Sequence, residues 1–130
     1  MSANTMSRLS QPVRLTIDLV LVLVFIALGL LSHQESLQRL LVVALPFILA
    51  LGASHLGVWA VASRRVLPLG LEGIMVWVTT LVLGLGLRLS FGETAAVAFA
   101  VVSALVLLVF LVGWRLAFML FGRMKARARI

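Results

Sequence analysis

Long apolar runs alternate with short polar breaks along the chain, and within each run the apolar residues are continuous rather than every second one. The first run covers 15–31 and is interrupted only by Asp18. Ser32-His33-Gln34-Glu35-Ser36 separates it from a second run over 37–62, which contains Pro46. Ser63-Arg64-Arg65 and Pro68 close the second, and a third covers 70–89. Ser90-Phe91-Gly92-Glu93 then leads into a fourth over 94–121. A helix crossing the hydrocarbon of a bilayer takes about 17–25 apolar residues, whereas a membrane barrel strand alternates in polarity. The pattern predicts an all-α, integral membrane four-helix up-and-down bundle over 15–121. It is flanked by an N-terminal segment, 1–14, and a basic tail, 122–130. A secretory signal peptide is the competing reading of the first run, with Arg8 and Arg14 as its basic region and Ala27-Leu28-Gly29 as a small-x-small site.

Composition sharpens this picture. Of the 130 residues, 63% are hydrophobic and 12% charged, with a mean hydropathy of +1.22. Soluble domains carry about 25% charged residues, so this chain has too little polar surface to face water on all sides. The absence of cysteine excludes disulfides, thiolate catalysis and zinc-thiolate sites. The net charge of +7 reads as topology rather than as nucleic-acid binding. Arg8, Arg14, Arg64, Arg65, Arg123, Lys125, Arg127 and Arg129 fall on the side of the termini, against Arg39 and Arg88 on the other. Positive charge stays inside, so both termini are expected in the cytoplasm, N-in and C-in. Trp59, Trp77 and Trp114 fall in the inner halves of their runs, as an interfacial aromatic belt would. Arg123, Lys125, Arg127 and Arg129 are candidate contacts for anionic headgroups, each worth ~1 kcal/mol near such a surface.

The candidate chemistry lies in the few polar residues within the runs. Asp18, taken as the one intramembrane carboxylate, costs ~2.5–3.5 kcal/mol at bilayer depth and so needs a partner or a proton. Arg14 at i−4 and Arg115 are its candidate partners in a structural pair. His55 lies ~13 Å from the inner end of its helix, close enough in depth to form a protonatable Asp–His centre. At the outer ends, His33 and Arg88 sit level with Glu35 and Glu93, as a surface ion cluster or as a vestibule for an anion or a lipid headgroup. The two outer turns share a Ser-x-x-Glu spacing that reads as a capping box, and with it a parallel repeat of two hairpins. Thr79, Thr80 and Ser103 are expected to bond to a neighbouring helix or their own backbone. Gly52, Gly57, Gly84, Gly86 and the ladder Ala96, Ala100, Ala104 offer small faces for close helix contact. Pro46 is expected to kink the second helix. No phosphate loop, metal cluster or catalytic triad is visible, and no cofactor is expected.

Asp18-Leu19-Val20, Phe25, Gly29-Leu30-Leu31-Ser32-His33, Pro46-Phe47, Pro68, Val76-Trp77, Thr80, residues 84–88, Gly92, Phe99 and Gly113-Trp114-Arg115 together resemble a known pattern. It is that of a family of small four-helix membrane proteins from actinobacteria and haloarchaea, catalogued as a domain of unknown function, family 3054. The likeness covers about 17–116 and departs at the first turn, where Leu30-Leu31 stand in place of basic residues. The resemblance implies the fold and a multi-pass place in the cytoplasmic membrane of a prokaryote, and no activity. It singles out Asp18, His33, Arg88 and Arg115 and leaves out His55, which favours an Asp18–Arg115 pair over an Asp18–His55 one.

The function expected from the sequence is that of a non-catalytic accessory or assembly subunit of a larger membrane complex. The alternative is a small homo-oligomeric transporter or channel for a proton-coupled, anionic or lipid-like substrate. An enzyme is not expected. The partners expected are membrane lipids and another membrane protein, or a second copy of this chain, and no nucleic acid.

Overall fold

The computed structural model describes residues 9–93 and 96–128. Within them are four helices long and apolar enough to cross a membrane, and no strand. They are α1 (Gln11–Ser32), α2 (Leu40–Ala62), α3 (Leu69–Ser90) and α4 (Val97–Ala128). A 3-10 turn, Leu37–Arg39, leads into α2, and a π-helical segment, Leu108–Val112, lies within α4. The order is up-down-up-down, so both ends of the chain's helical part lie at one end of the bundle.

Local chemistry accounts for the boundaries. α1 begins at Gln11, before the apolar run does, because Pro12 in the first turn has its φ already set for helix and no N–H to lose. It ends in a Schellman motif. Gln34 adopts φ 57°, its N–H donates to Leu31 O at 3.1 Å, and the Glu35 N–H reaches Leu30 O at 2.8 Å. The end of α3 repeats the motif with Gly92 at φ 84° and the Glu93 N–H on Arg88 O at 3.0 Å. The Ser-x-x-Glu likeness of the two turns is therefore a pair of C-terminal caps, which corrects the capping-box reading. Ser32 and Ser90 are the last residues of their helices, and their hydroxyls donate backwards, to Gly29 O and Gly86 O. Ser36 is the residue that caps forwards, accepting from Gln38 N. Thr94 and Ala95 lie outside the described residues.

α2 continues through buried Pro46, whose missing N–H leaves the carbonyl of Val42 without its helical partner. α4 runs on through the basic tail to Ala128 rather than stopping near 121. Lys, Arg, Met and Ala are good helix formers, and cations suit a helix C-terminus.

The most extensive packing is between α2 and α3, with α1 against α2 and α4 against α3. The core cluster includes Val22, Phe47, Leu51, Val76, Leu107 and Leu111, all fully buried. Two glycines set its tightest contacts. A Cβ on Gly84 would stand 2.5 Å from the Phe47 ring, and one on Gly73 would stand 2.8 Å from Arg115 Cδ and 3.4 Å from Val112 Cα. Gly52, Gly57 and Gly86 do not serve the chain's own packing, since a Cβ there meets nothing within 4 Å. Ala96 is exposed, and Ala100 and Ala104 are only half-buried. α1 meets α4 chiefly at the π-helical segment, and farther from the termini the two helices leave a gap.

Candidate functional site

Two polar regions stand at opposite ends of the bundle. At the end that holds the termini, each helix contributes to one buried network. Asp18 projects from the second turn of α1 and is 0% exposed. Arg115 of α4, also 0% exposed, grips it with two parallel bonds, Nη1 to Oδ1 at 2.8 Å and Nη2 to Oδ2 at 2.7 Å. Paired bonds of this kind are the strongest arrangement an arginine and a carboxylate can make. Trp114 Nε1 donates to Oδ1 at 2.8 Å, and His55 Nε2 of α2 lies 2.7 Å from Oδ2. The carboxylate of Asp18 thus receives four donors from two other helices. Gln11 Nε2 reaches His55 O at 2.8 Å and His55 Nδ1 at 3.4 Å. Both ring contacts are satisfied by the tautomer that carries its proton on Nε2.

The second acid of the network is Glu72, in the first turn of α3 and 2% exposed. Its Oε2 accepts from Arg14 Nε at 2.8 Å, from Arg115 Nη2 at 3.0 Å and from Arg115 Nε at 3.2 Å. Position favours a negative charge there, because the first turn of a helix presents unpaired N–H groups and the positive end of the dipole. Arg115 spends a further donor on Leu111 O at 2.8 Å, beside the π-helical segment, and its Cζ lies 4.8 Å from the Trp114 ring centroid. Arg14 also donates to Leu9 O. Two guanidiniums therefore face two carboxylates in one connected cluster.

The structure brings Asp18, Arg115 and His55 together. The two pairings read from the sequence are both present on the same carboxylate. Arg14, expected as a partner of Asp18, instead turns to Glu72. Glu72, Gln11 and the Trp114 N–H were missed. The signal for Glu72 was its place four residues after Pro68, at the head of an apolar run; taking Asp18 as the one intramembrane carboxylate was an error. Of the three tryptophans, Trp114 Nε1 serves Asp18 and Trp77 Nε1 donates to Ala104 O at 2.9 Å, both rings being partly buried, while Trp59 is exposed.

The opposite end carries a partly exposed ion cluster beside a cavity. Arg39 joins Glu35 to Glu93, the latter at 3.2 Å, and Arg88 Nη2 stands 3.9 Å from Glu93. Arg88 Cζ lies 4.7 Å above the centroid of Phe99. Both glutamates serve this cluster rather than caps. His33 and Arg88 line the same cavity of about 420 Å³, which opens in the gap between α1 and α4. Midway along the bundle the hydroxyls of Thr80 and Ser103 are buried with no hydrogen-bond partner among the described residues, contrary to the expected helix–helix bonds.

Arg123, Lys125 and Arg127 lie exposed on the last turns of α4, with Lys125 Nζ 5.3 Å from the Phe121 ring; Arg129 lies outside the described residues. No cluster with the makeup of a metal site occurs among the described residues.

The family described as "Protein of unknown function (DUF3054)" matches residues 15–118, a stretch that contains Asp18, His55, Glu72 and Arg115. The chain belongs to this family. No curated protein and no solved structure matches it. Membership agrees with the resemblance read from the sequence and assigns no activity, so the functional reading rests on the two sites themselves.

Proposed function

We propose that the protein is a non-catalytic subunit of the cytoplasmic membrane of a prokaryote, inserted with both termini inside, that works by packing against a larger membrane protein. The observation that carries this reading is the closed character of the buried network. Asp18, Glu72 and Arg115 are sealed from solvent and bonded to one another and to their neighbours, so the network has the form of a clamp across four helices. A transporter would need a polar path from Asp18 to the cavity at the far end. A fully buried apolar layer of Val22, Leu51, Val76 and Leu107 stands one to two turns beyond the network, which weighs against that path. The cation balance supports the orientation, since Arg14, Arg64, Arg65, Arg123, Lys125 and Arg127 lie at the end of the termini. There the tail of α4 would rest on anionic headgroups.

A docking face is offered by α2. Leu49, Ala53, Leu56, Gly57 and Ala60 are exposed along one side, and Ala53-x-x-x-Gly57 has the small-residue spacing by which membrane helices approach closely. Glycine within a helix costs ~0.8–1 kcal/mol relative to alanine. Gly57 has no contact inside the chain that would offset that cost.

The test is native mass spectrometry of the protein extracted gently from its own membrane, for the wild type and for Gly57→Leu. A stoichiometric larger partner that is lost in Gly57→Leu, with melting temperature unchanged, is the expected result. A homo-oligomer indifferent to Gly57→Leu would contradict the reading and turn attention to transport.

A further inference from the structure

The cavity between α1 and α4 is a pocket with a gradient. Its walls are apolar, with Phe25, Ile26, Leu30, Val43, Phe99 and Val102 among them. Its polar end, away from the termini, carries Arg39, Arg88 and His33 with Glu35 in the lining, and Glu93 pairs with both arginines from beside it. The volume of about 420 Å³ lies within the usual ~300–1,000 Å³ of small-molecule sites. From Ser32 down to Phe25 the wall descends ~10 Å, at 1.5 Å per residue.

The pocket opens sideways. A second, shallower groove of about 240 Å³ runs along the outer flank of the same gap and shares Phe25, Gly29, Ser32 and Val102 with it. Its remaining residues, Leu28 and Val106, are aliphatic, and Leu28 is 56% exposed. An occupant would enter from the surrounding hydrocarbon rather than from water. Gly29 lies in both linings, and a Cβ there would meet nothing within 4 Å. Gly29 lies in the last turn of α1, and no side-chain contact within the chain calls for a glycine there. What its missing side chain does is keep the passage between groove and cavity wide.

From these features we infer that the cleft binds an anionic phospholipid of the bilayer, with one acyl chain between α1 and α4 and its phosphate beside Arg88 and Arg39. The inference rests on the membrane-spanning reading but not on the subunit reading. The two arginines stand at the level where the first and third helices end, which is headgroup depth for a bundle of this length. The apolar walls lie below them, at acyl depth. Arginine suits the role because its planar fork matches phosphate oxygens. Glu35 and Glu93 hold the guanidiniums in place at the mouth of the pocket.

The test uses the full chain in phosphatidylcholine vesicles doped with phosphatidylglycerol that carries a photoactivatable diazirine in one acyl chain. Adducts are expected to concentrate on residues 25–33 and 96–102. Excess unlabelled phosphatidylglycerol should suppress them, and excess phosphatidylcholine should not. Gly29→Phe, which fills open space, should lower labelling about fivefold, the factor that ~1 kcal/mol of affinity gives, with the melting temperature held. Arg88→Gln should erase the preference for phosphatidylglycerol over phosphatidylcholine. Labelling spread evenly around the bundle, or indifferent to Gly29→Phe, overturns the inference. So does competition by free myristate alone, which would assign the site to fatty acids. Protein that fails to float with the vesicles contradicts the membrane-spanning reading as well, so the two failures are distinct.

Discussion

Asp18 and Thr80 show two ways of burying a polar side chain, and they have opposite consequences. Asp18 receives four donors, so the favourable bonds offset much of the penalty of leaving water. Removing one partner would leave the others stranded in a medium of low dielectric. Thr80 and Ser103 have no partner among the described residues, and an unsatisfied buried hydroxyl costs ~1–3 kcal/mol. Thr80→Val keeps the shape and removes the hydroxyl. It should leave the melting temperature of the purified protein unchanged or raise it by a few degrees. A fall of several degrees would reveal a bond that Thr80 makes. At this scale the sequence was informative about type and depth. It marked Asp18, Arg115 and His55 as costly residues at similar depth. It did not indicate azimuth, the direction in which each side chain leaves its helix, and azimuth decides that Arg14 meets Glu72 rather than Asp18. Glu72 is buried by Arg115 and the packing of α4 over the first turn of α3, a tertiary contact with no local sequence signal.

The helices themselves were the most legible part of the sequence, because apolar length and polar breaks are local properties. Four runs predicted four helices, with the ends shifted where a local cap or propensity won: Pro12 moved the start of α1 back, and the basic tail extended α4. The turns were half legible. Their likeness was visible, but Ser-x-x-Glu fits a C-terminal cap followed by an ion-pairing glutamate as well as it fits an N-terminal box. The distinction lies in the left-handed residue between them, glycine in one turn and glutamine in the other. Glutamine at φ 57° carries a steric penalty that glycine escapes. Gln34→Gly should therefore stabilise the protein by ~1 kcal/mol and Gly92→Ala should destabilise it by a similar amount, both read from thermal denaturation in detergent. Equal melting temperatures for Gly92→Ala and wild type would show that the cap does not set the end of α3. The π-helical segment had no sequence signal. It occurs where α4 packs on Gly73 and where Leu111 O takes a bond from Arg115, a tertiary arrangement rather than a local preference.

The whole molecule divides by depth into a clamped end, an apolar middle and an open end. At the clamped end two carboxylates and two guanidiniums bind α1, α3 and α4, with α2 joined through His55. At the open end α1 and α4 part and leave the cleft. This division was not legible in the sequence, because it depends on which helices are neighbours and how closely they approach. The largest helix contact, α2 on α3, joins the two hairpins. The central claim is that the buried network holds the bundle together and is not a conduit. The most direct test is a double-mutant cycle on thermal stability with Asp18→Asn, Arg115→Gln and the pair of substitutions together. Each single change should destabilise the protein by ~3–5 kcal/mol, and the double change by clearly less than their sum, because each single change leaves a buried charge without its partner. Singles that melt with the wild type would contradict the account, and a proton flux in vesicles that Asp18→Asn abolishes would point to transport in its place.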